Sequence, residues 1–539
     1  MKNHNNIKIL DCTLRDGGRI INCDFGEQCI INLSNDLQAS KIDYIEMGFI
    51  RNRITYRNGS TFFTRIEQIK PYIHNSNVSK FVLFVDHGMF DVEQLENREE
   101  NNPVFGIRVG FKKGQFKDCL AEIRRIQEKG YQVFLQDVNT LGYSDDEILQ
   151  MIDIVNSINP YAFAVVDTYG AMYKGDLIHY IELLHNNLNK EIAIDFHSHN
   201  NYQLSFSLAQ EVVGMSEKYP ERNFIIDSTL YGMGKVAGNL NTELIANYLV
   251  EKYGKNYDTS IIFDSIDENI MPYYKRNFWG YSNNALLSGK YMSHPNNVIY
   301  LTEKFKLDTN DIGNILAMIS KDKRQTYDYD NIENCYITYN AKKESKKIVT
   351  ESLKQKISGR KILVVAPGNS LRQCQKTIAQ LVEKDDVLLI SVNFIYYVKT
   401  LSMAFFANQK RYKMLDMIPQ NVDIILSSNV REKTGKEYII DYKTVIRRGW
   451  KNFDNATIML LRFLADEDIR KIYIAGFDGM VKGEDNFYSA DYEKNLDADD
   501  YEIVNHEITE MYTDVKNRMV KKGIEIEFLT PSIYNMEGR

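Results

Sequence analysis

At 539 residues, 44% of them hydrophobic and 26% charged, the chain has room for three or four domains at ~150 residues each, and its balance excludes a disordered protein. A net charge of -7 and a pI near 5.9 argue against nucleic acid or an anionic membrane as partner, because phosphate-binding surfaces are basic. No apolar run approaches the ~20 residues of a membrane helix, and Met1 to Lys8 is polar rather than signal-like, so a cytoplasmic protein is expected.

Ile7 to Asp11 reads as a short apolar strand, followed at once by the loop Cys12-Thr13-Leu14-Arg15-Asp16-Gly17-Gly18-Arg19. Ile30, Ile31, Leu33 and Leu37 have helical spacing, and Tyr44 to Gly48 reads as a second strand. Further strands are predicted at Lys80 to Val85, Val104 to Val109, Gln132 to Gln136, Ala162 to Val166, Glu191 to Phe196 and Phe224 to Ile226. Helical patterns at Lys117 to Lys129, Asp145 to Ser157, Asp176 to Leu188 and Leu204 to Lys218 separate the later ones. Strands alternating with helices imply a parallel sheet, and eight such strands predict a closed (β/α)8 barrel.

A barrel of this kind carries its chemistry where strands end. Arg15 and Asp16 follow the first strand, Glu46 lies near the end of the second and Arg108 near the end of the fourth. Gln136 and Asp137 close the fifth, Asp167 and Thr168 the sixth, His197 and His199 the seventh, Asp227 and Ser228 the eighth. In an extended chain alternate side chains share a face, so His197 and His199 point one way. With Asp16 they offer one carboxylate and two imidazoles, a set suited to a divalent metal (Mn2+, Mg2+ or Co2+). Asn239, in the glycine-rich loop after the last strand, could add an amide oxygen or simply cap the loop, and Glu46 and Asp167 could orient ligands or relay protons. A 2-keto acid would chelate such a centre, the cation stabilising the enolate formed by carbon–carbon cleavage, with Arg15 beside the same charge.

The second half reads differently. Residues 256–340 look helical and aromatic, 341–360 is a lysine-rich linker or exposed helix, and 361–539 alternates strands with helices as an open Rossmann-like α/β sheet; residues 1–255 form the barrel. Its strands are expected at Ile362 to Ala366, Val387 to Ser391, Asp423 to Ser427, Lys471 to Ala475 and Ile524 to Leu529. Cys12, Cys23, Cys29, Cys119, Cys335 and Cys374 form no CxxC pair and read as reduced thiols.

The stretches Asp11-Cys12-Thr13-Leu14-Arg15-Asp16-Gly17-Gly18, Ile45-Glu46-Met47-Gly48, Asp167-Thr168-Tyr169-Gly170, His197-Ser198-His199-Asn200-Asn201 and Gly238-Asn239-Leu240-Asn241-Thr242-Glu243 resemble the pattern of the DRE-TIM metallolyases. The resemblance, over roughly residues 7 to 250, implies Asp16, His197 and His199 as metal ligands, Asn239 as a further one, and Arg15 as the group stabilising the enolate. Trp279-Gly280-Tyr281 resembles the 4-hydroxy-2-oxovalerate aldolase branch, which implies a catalytic Tyr281 beside Arg15 and Glu46; Arg108, Gln136, Asp167 and Thr168 are the expected substrate contacts. Two departures stand out: Arg19 occupies the place of the aldolases' acid-base histidine, and Gly232-Met233-Gly234 replaces the catalytic cysteine loop of hydroxymethylglutaryl-CoA lyase.

The stretches Val364 to Leu371, Ser391 to Phe394 and Ala475 to Gly479 are similar to bacterial sialyltransferase-like nucleotide-binding domains, which implies Gly368, Asn369, Ser370 and Asn393 as nucleotide contacts. The expected partners are a small-molecule 2-keto acid with an aldehyde or sugar, plus a nucleotide-sugar at the second domain; a homo-oligomer stays open. The expected activity is a metal-dependent aldolase in surface-polysaccharide sugar synthesis. A Claisen-type acyl-CoA synthase, or a transferase with the barrel as scaffold, are the alternatives.

Overall fold

The computed structural model describes residues 6–52, 54–73, 79–100, 102–305, 307–341, 347–383, 387–415, 417–447, 449–450, 452–482, 484–488 and 500–535. They fall into two compact units, Met1–Ile332 and Glu333–Arg539.

The first unit is a closed parallel barrel. Its strands are β1 (Ile7–Asp11), β2 (Tyr44–Ile50), the two-residue β3 (Phe62–Phe63), β4 (Lys80–Asp86), β5 (Val104–Phe111), β6 (Gln132–Asp137), β7 (Ala162–Asp167), β8 (Ala193–Ser198) and β9 (Phe224–Ser228). The order runs β1-β9-β8-β7-β6-β5-β4-β2, β3 lies outside β2, and pairing of Asp11 with Ile45 closes the ring. Period-two alternation sorts the side chains. Ile9, Ile45, Leu83, Ile107 and Val109 face outward into the core beneath the helices, whereas Leu10, Tyr44, Val82, Phe134, Ala193 and Ile225 fill the barrel's interior.

Most strands run one or two residues past their expected ends, so the polar residues meant for loops sit at the last positions of the sheet itself. The connections after β2 and β4 contain short 3-10 turns, Ile66–Tyr72 and Val92–Gln94, rather than α-helices. Helix Asp145–Ile158 shows how the later units are made: Ser144 accepts from the Glu147 backbone N–H, Glu147 closes the reciprocal cap, and Ile148, Met151, Ile152 and Val155 bury one face.

Beyond the helix Thr242–Tyr253, short helices return across the C-terminal ends of the strands. Trp279 donates from Nε1 to the Tyr231 carbonyl, the Gly280 N–H to Val236, and Asn201 Nδ2 to Ala285. A Cβ on Gly289 would lie 3.1 Å from the Tyr169 carbonyl. The extension therefore grips the loops after β7, β8 and β9.

The second unit is an open sheet, β14-β13-β12-β11-β10-β15-β16, all parallel. Its strands are β10 (Lys361–Val365), β11 (Val387–Val392), β12 (Ser402–Phe406), β13 (Val422–Ser427), β14 (Tyr438–Ile440), β15 (Lys471–Ala475) and β16 (Glu525–Phe528). β12 and β14 have no counterpart in the sequence reading. Within the stretch expected as a linker, residues 342–346 lie outside the described residues, and Lys347–Ile357 is a helix that buries Leu353 and Ile357. No helix among the described residues is long and apolar enough to cross a membrane.

Candidate metal centre and the charged tier beneath it

The ends of β1 and β8 meet at the mouth of the barrel. Asp16 Oδ2 lies 3.7 Å from His199 Nε2 and 4.0 Å from His197 Nε2, and the two imidazoles stand nearly perpendicular with centroids 5.3 Å apart. One ligand atom from each of these three residues falls within 4.8 Å of the others, a spacing that fits one divalent ion. Asn239 Nδ2 donates to Asp16 Oδ2 (3.1 Å) and to the Met233 carbonyl (3.0 Å), while its buried Oδ1 has no hydrogen-bond partner among the described residues. That orphaned acceptor, with the carboxylate and two imidazoles, makes an oxygen- and nitrogen-rich donor set that fits a divalent cation.

The electrostatics keep the donors available. Burial alone would push the Asp16 carboxyl up, but Arg15, His199, His197 and Arg19 together hold it well below the usual carboxylate range. Burial, against the pull of Asp16, lowers His199 to about 4, so its imidazole is neutral at pH 7. His197 Nδ1 donates to Asp227 Oδ2 (2.8 Å), which leaves Nε2 as the lone-pair nitrogen facing Asp16.

Below this centre lies a tier of buried charge. Arg15, 2% exposed, donates from Nε to Glu46 Oε2 and from Nη1 to Asp16 Oδ1, each at 2.6 Å, and stacks on Phe84 at 4.6 Å from the ring centroid; its Nη2 has no hydrogen-bond partner among the described residues. Arg108, with 0% exposure, grips Asp227 through Nη1 (2.5 Å) and Nη2 (2.9 Å), reaches Asp195 through Nη2 (2.7 Å), and holds Nε 3.6 Å from Glu46 Oε1. Gly106 and Gly110 flank it on the same face of β5; a Cβ at either would collide with the rings of Phe134 or Phe84, at 2.8 and 2.3 Å. Burial and the neighbouring Asp227 push Asp195 up, whereas Arg108 and His197 overcome burial at Asp227 and hold it down.

The remaining expected site residues are distributed as follows. Arg108 is sealed beneath the centre rather than open to a ligand. Gln136 is buried on β6, and its Oε1 has no hydrogen-bond partner among the described residues. Asp167 accepts from the Ala171 and Met172 N–H groups (2.9 and 3.0 Å), pinning the loop after β7, and burial raises it to about 6. Thr168 Oγ1 accepts from the Asn139 N–H. Tyr281 is 52% exposed on the extension. In the second unit Ser370 donates its N–H and Oγ to Asp478 (2.8 and 2.5 Å), and a Cβ on Gly368 would lie 2.4 Å from the Gly476 carbonyl, so this loop packs against the end of β15. Asn369 has a buried Oδ1 without a hydrogen-bond partner among the described residues, and Asn393, at φ 61°, accepts from the Ala407 N–H. The sequence reading left Asp195 and the Asp227–His197 bond unassigned; the period-two spacing Asp195, His197, His199 on one strand was the available signal.

Asp137, outside the metal centre, supports a pH prediction. It accepts from Thr140 Oγ1 (2.9 Å to Oδ2), and burial raises it to about 7 against ~3.9 in an unfolded chain. The folded state then binds the proton more tightly, so this group removes stability as pH rises from about 4 through about 7. D137N is expected to gain stability over the parent progressively between pH 4 and 8, by up to about 4 kcal/mol. Urea unfolding at the two pH values measures it; a pH-independent difference would mean that Asp137 ionises freely in the fold.

Residues 108–268 match the HMGL-like family model. The chain is 23% identical over 268 residues to the oxaloacetate decarboxylase of Mycobacterium tuberculosis, covering 49% of this chain and 76% of that protein. It is 24% identical over 316 residues to a 4-hydroxy-2-oxovalerate aldolase of Carboxydothermus hydrogenoformans, covering 57% and 90%. Among solved structures it superposes on the carboxyl transferase domain of Rhizobium etli pyruvate carboxylase with a TM-score of 0.47 at 10% identity, over 65% of this chain and 66% of that one.

Proposed function

We propose that this chain, whose residues 108–268 match the HMGL-like family model, is a lyase of that kind and cleaves or forms a carbon–carbon bond next to the enolate of a pyruvate-type 2-keto acid. The observation that carries the reading is the convergence of Asp16 with His197 and His199 within shared-ligand distance. A divalent cation held there supplies Lewis-acid stabilisation to developing negative charge. Arg15 Nη2, without a hydrogen-bond partner among the described residues, is the donor available to that charge, and Glu46 holds the guanidinium in place. Asp227 fixes the His197 tautomer, and Arg108 keeps Asp227 ionised. In the cleavage direction the C4 hydroxyl loses its proton, the C3–C4 bond breaks to give the aldehyde, and the electron pair left on C3 forms the enolate, which is then protonated to pyruvate.

Arg19 stands 3.2 Å from Asp16 Oδ1, and a guanidinium paired with a carboxylate takes up no proton. That favours a second reading in which the substrate loses CO2 instead, a step with no hydroxyl proton to remove. Release of aldehyde against release of CO2 from matched 2-keto acids separates the two. For the second unit, we read the crevice where strand order reverses between β10 and β15 as the binding place of a nucleotide or nucleotide-linked sugar in surface-polysaccharide synthesis. With Ser370 already bonded to Asp478, the carboxylate suits sugar hydroxyls better than phosphate.

The test is chelation. EDTA is expected to abolish pyruvate release from 4-hydroxy-2-keto acids and added Mn2+ or Mg2+ to restore it; turnover that survives exhaustive chelation would sink the proposal.

A further inference from the structure

The other barrel strands are each followed by an α-helix, but after β2 and β4 the covering layer contains the short 3-10 turns Ile66–Tyr72 and Val92–Gln94. Two such turns lay fewer side chains on the sheet than two helices do, and a cavity of about 330 Å3 lies between them. Protein interiors hold few voids larger than a water molecule, and a space of this size matches a small-molecule site. Its lining is polarised. Ile50, Ile66, Phe90 and Leu95 are buried and form an apolar floor, whereas Arg65, Glu67, Gln94 and Glu96 are exposed and form the rim.

The rim carries both signs of charge. Arg65 and Glu96 have no ion-pair partner among the described residues, and Lys70 Nζ stands 3.7 Å from Glu67 Oε1. Glu67 and Glu96 share a hydrogen bond; that bond first, then burial, push the Glu96 carboxyl above its ordinary range. Two carboxyl groups that share a proton accept an ammonium N–H in its place. Asn52 fixes the rim, because its Nδ2 donates to Gln94 Oε1 (3.0 Å) and its N–H to the Met89 carbonyl (2.9 Å), which ties the connection after β4 to the end of β2.

The cavity is separate from the metal centre. Phe49 lies under Arg19, whose guanidinium carbon is 4.7 Å from the ring centroid and whose Nε is 3.2 Å from Asp16. The next residue, Ile50, points to the opposite face of β2, into the core outside the barrel wall.

We propose that this cavity binds a free α-amino acid with an apolar side chain: the carboxylate pairs with Arg65, the ammonium enters between Glu67 and Glu96, and the side chain lies on Ile50, Ile66, Phe90 and Leu95. An α-amino acid carries its two charges on one carbon, which matches the opposite charges of Arg65 and Glu67 at the start of one turn. A molecule with only one of those charges leaves the other rim group without a partner.

The experiment titrates the full chain calorimetrically with L-leucine, L-methionine and L-phenylalanine, and with 4-methylpentanoate and 3-methylbutylamine, which each keep one charge of leucine. At least one amino acid is expected to bind about tenfold or more tightly than either half-molecule. Arg65→Met, and Glu67→Gln combined with Glu96→Gln, are each expected to abolish that advantage. All three side chains are exposed, so an unchanged thermal midpoint is the folding control. Binding is expected to persist in EDTA, which separates this cavity from amino acid chelated at the metal centre. Turnover plays no part in the readout, so the result stands or falls apart from the lyase reading. Amino acids that bind no better than the half-molecules, binding that survives both sets of substitutions, or binding that EDTA removes would each overturn the proposal.

Discussion

His197→Ala is expected to lower kcat by about a thousandfold, because it deletes one of the three donors Asp16, His197 and His199 and unbinds the cation that would carry several kcal/mol of transition-state stabilisation. The loss should appear twice. Metal content after dialysis should fall well below one ion per chain, and activity should not recover at millimolar Mn2+. Folding should survive, since Arg108 still pairs with Asp227 when the imidazole is gone, so an unchanged far-ultraviolet spectrum is the control. Full turnover in this variant would eliminate the metal reading outright.

Arg108→Met is expected to destabilise the barrel by about 3–5 kcal/mol, because removing one partner of a buried ionic network strands the others without compensation. Among the described residues, Asp195 and Asp227 thereby lose the guanidinium that pairs with them and Glu46 one of two. The deficit should shrink toward acidic pH. Carboxylates left without a partner in a buried site bind protons more readily, and protonation removes the uncompensated charge, so unfolding measured at pH 8 should show a larger penalty than at pH 5. Arg108→Lys should rescue little, since an ammonium cannot span three carboxylates as a fork does. A variant as stable as the parent at pH 8 would mean that the tier is hydrated.

Much of this was legible in the chain. Strand-helix alternation exposed the barrel, and chemistry at strand ends brought Asp16, His197 and His199 to one point. What escaped was depth. Gln136, Glu46 and Arg108 all lie near strand ends, but a position in a strand does not say whether a side chain opens into the mouth or is sealed beneath it. Arg108 was expected to meet substrate, yet two carboxylates occupy its guanidinium, and only the glycines on either side of it hinted at a bulky group enclosed by rings. Helical patterns were legible only after the first strand and between the later ones, and the connections after β2 and β4 are indeed brief 3-10 turns with too few apolar positions to show a period. β14 escaped because three residues carry no alternation.

Arg108 sits on β5, yet its acceptors arrive from β2, β8 and β9. A cut between β5 and β6 would therefore separate the guanidinium from two of its three carboxylates and leave each fragment with ions it could not shelter. This barrel is not divisible into two self-sufficient halves: the two parts can close only on one another, and circular permutants opened elsewhere should be tolerated better than fragments parted at that seam.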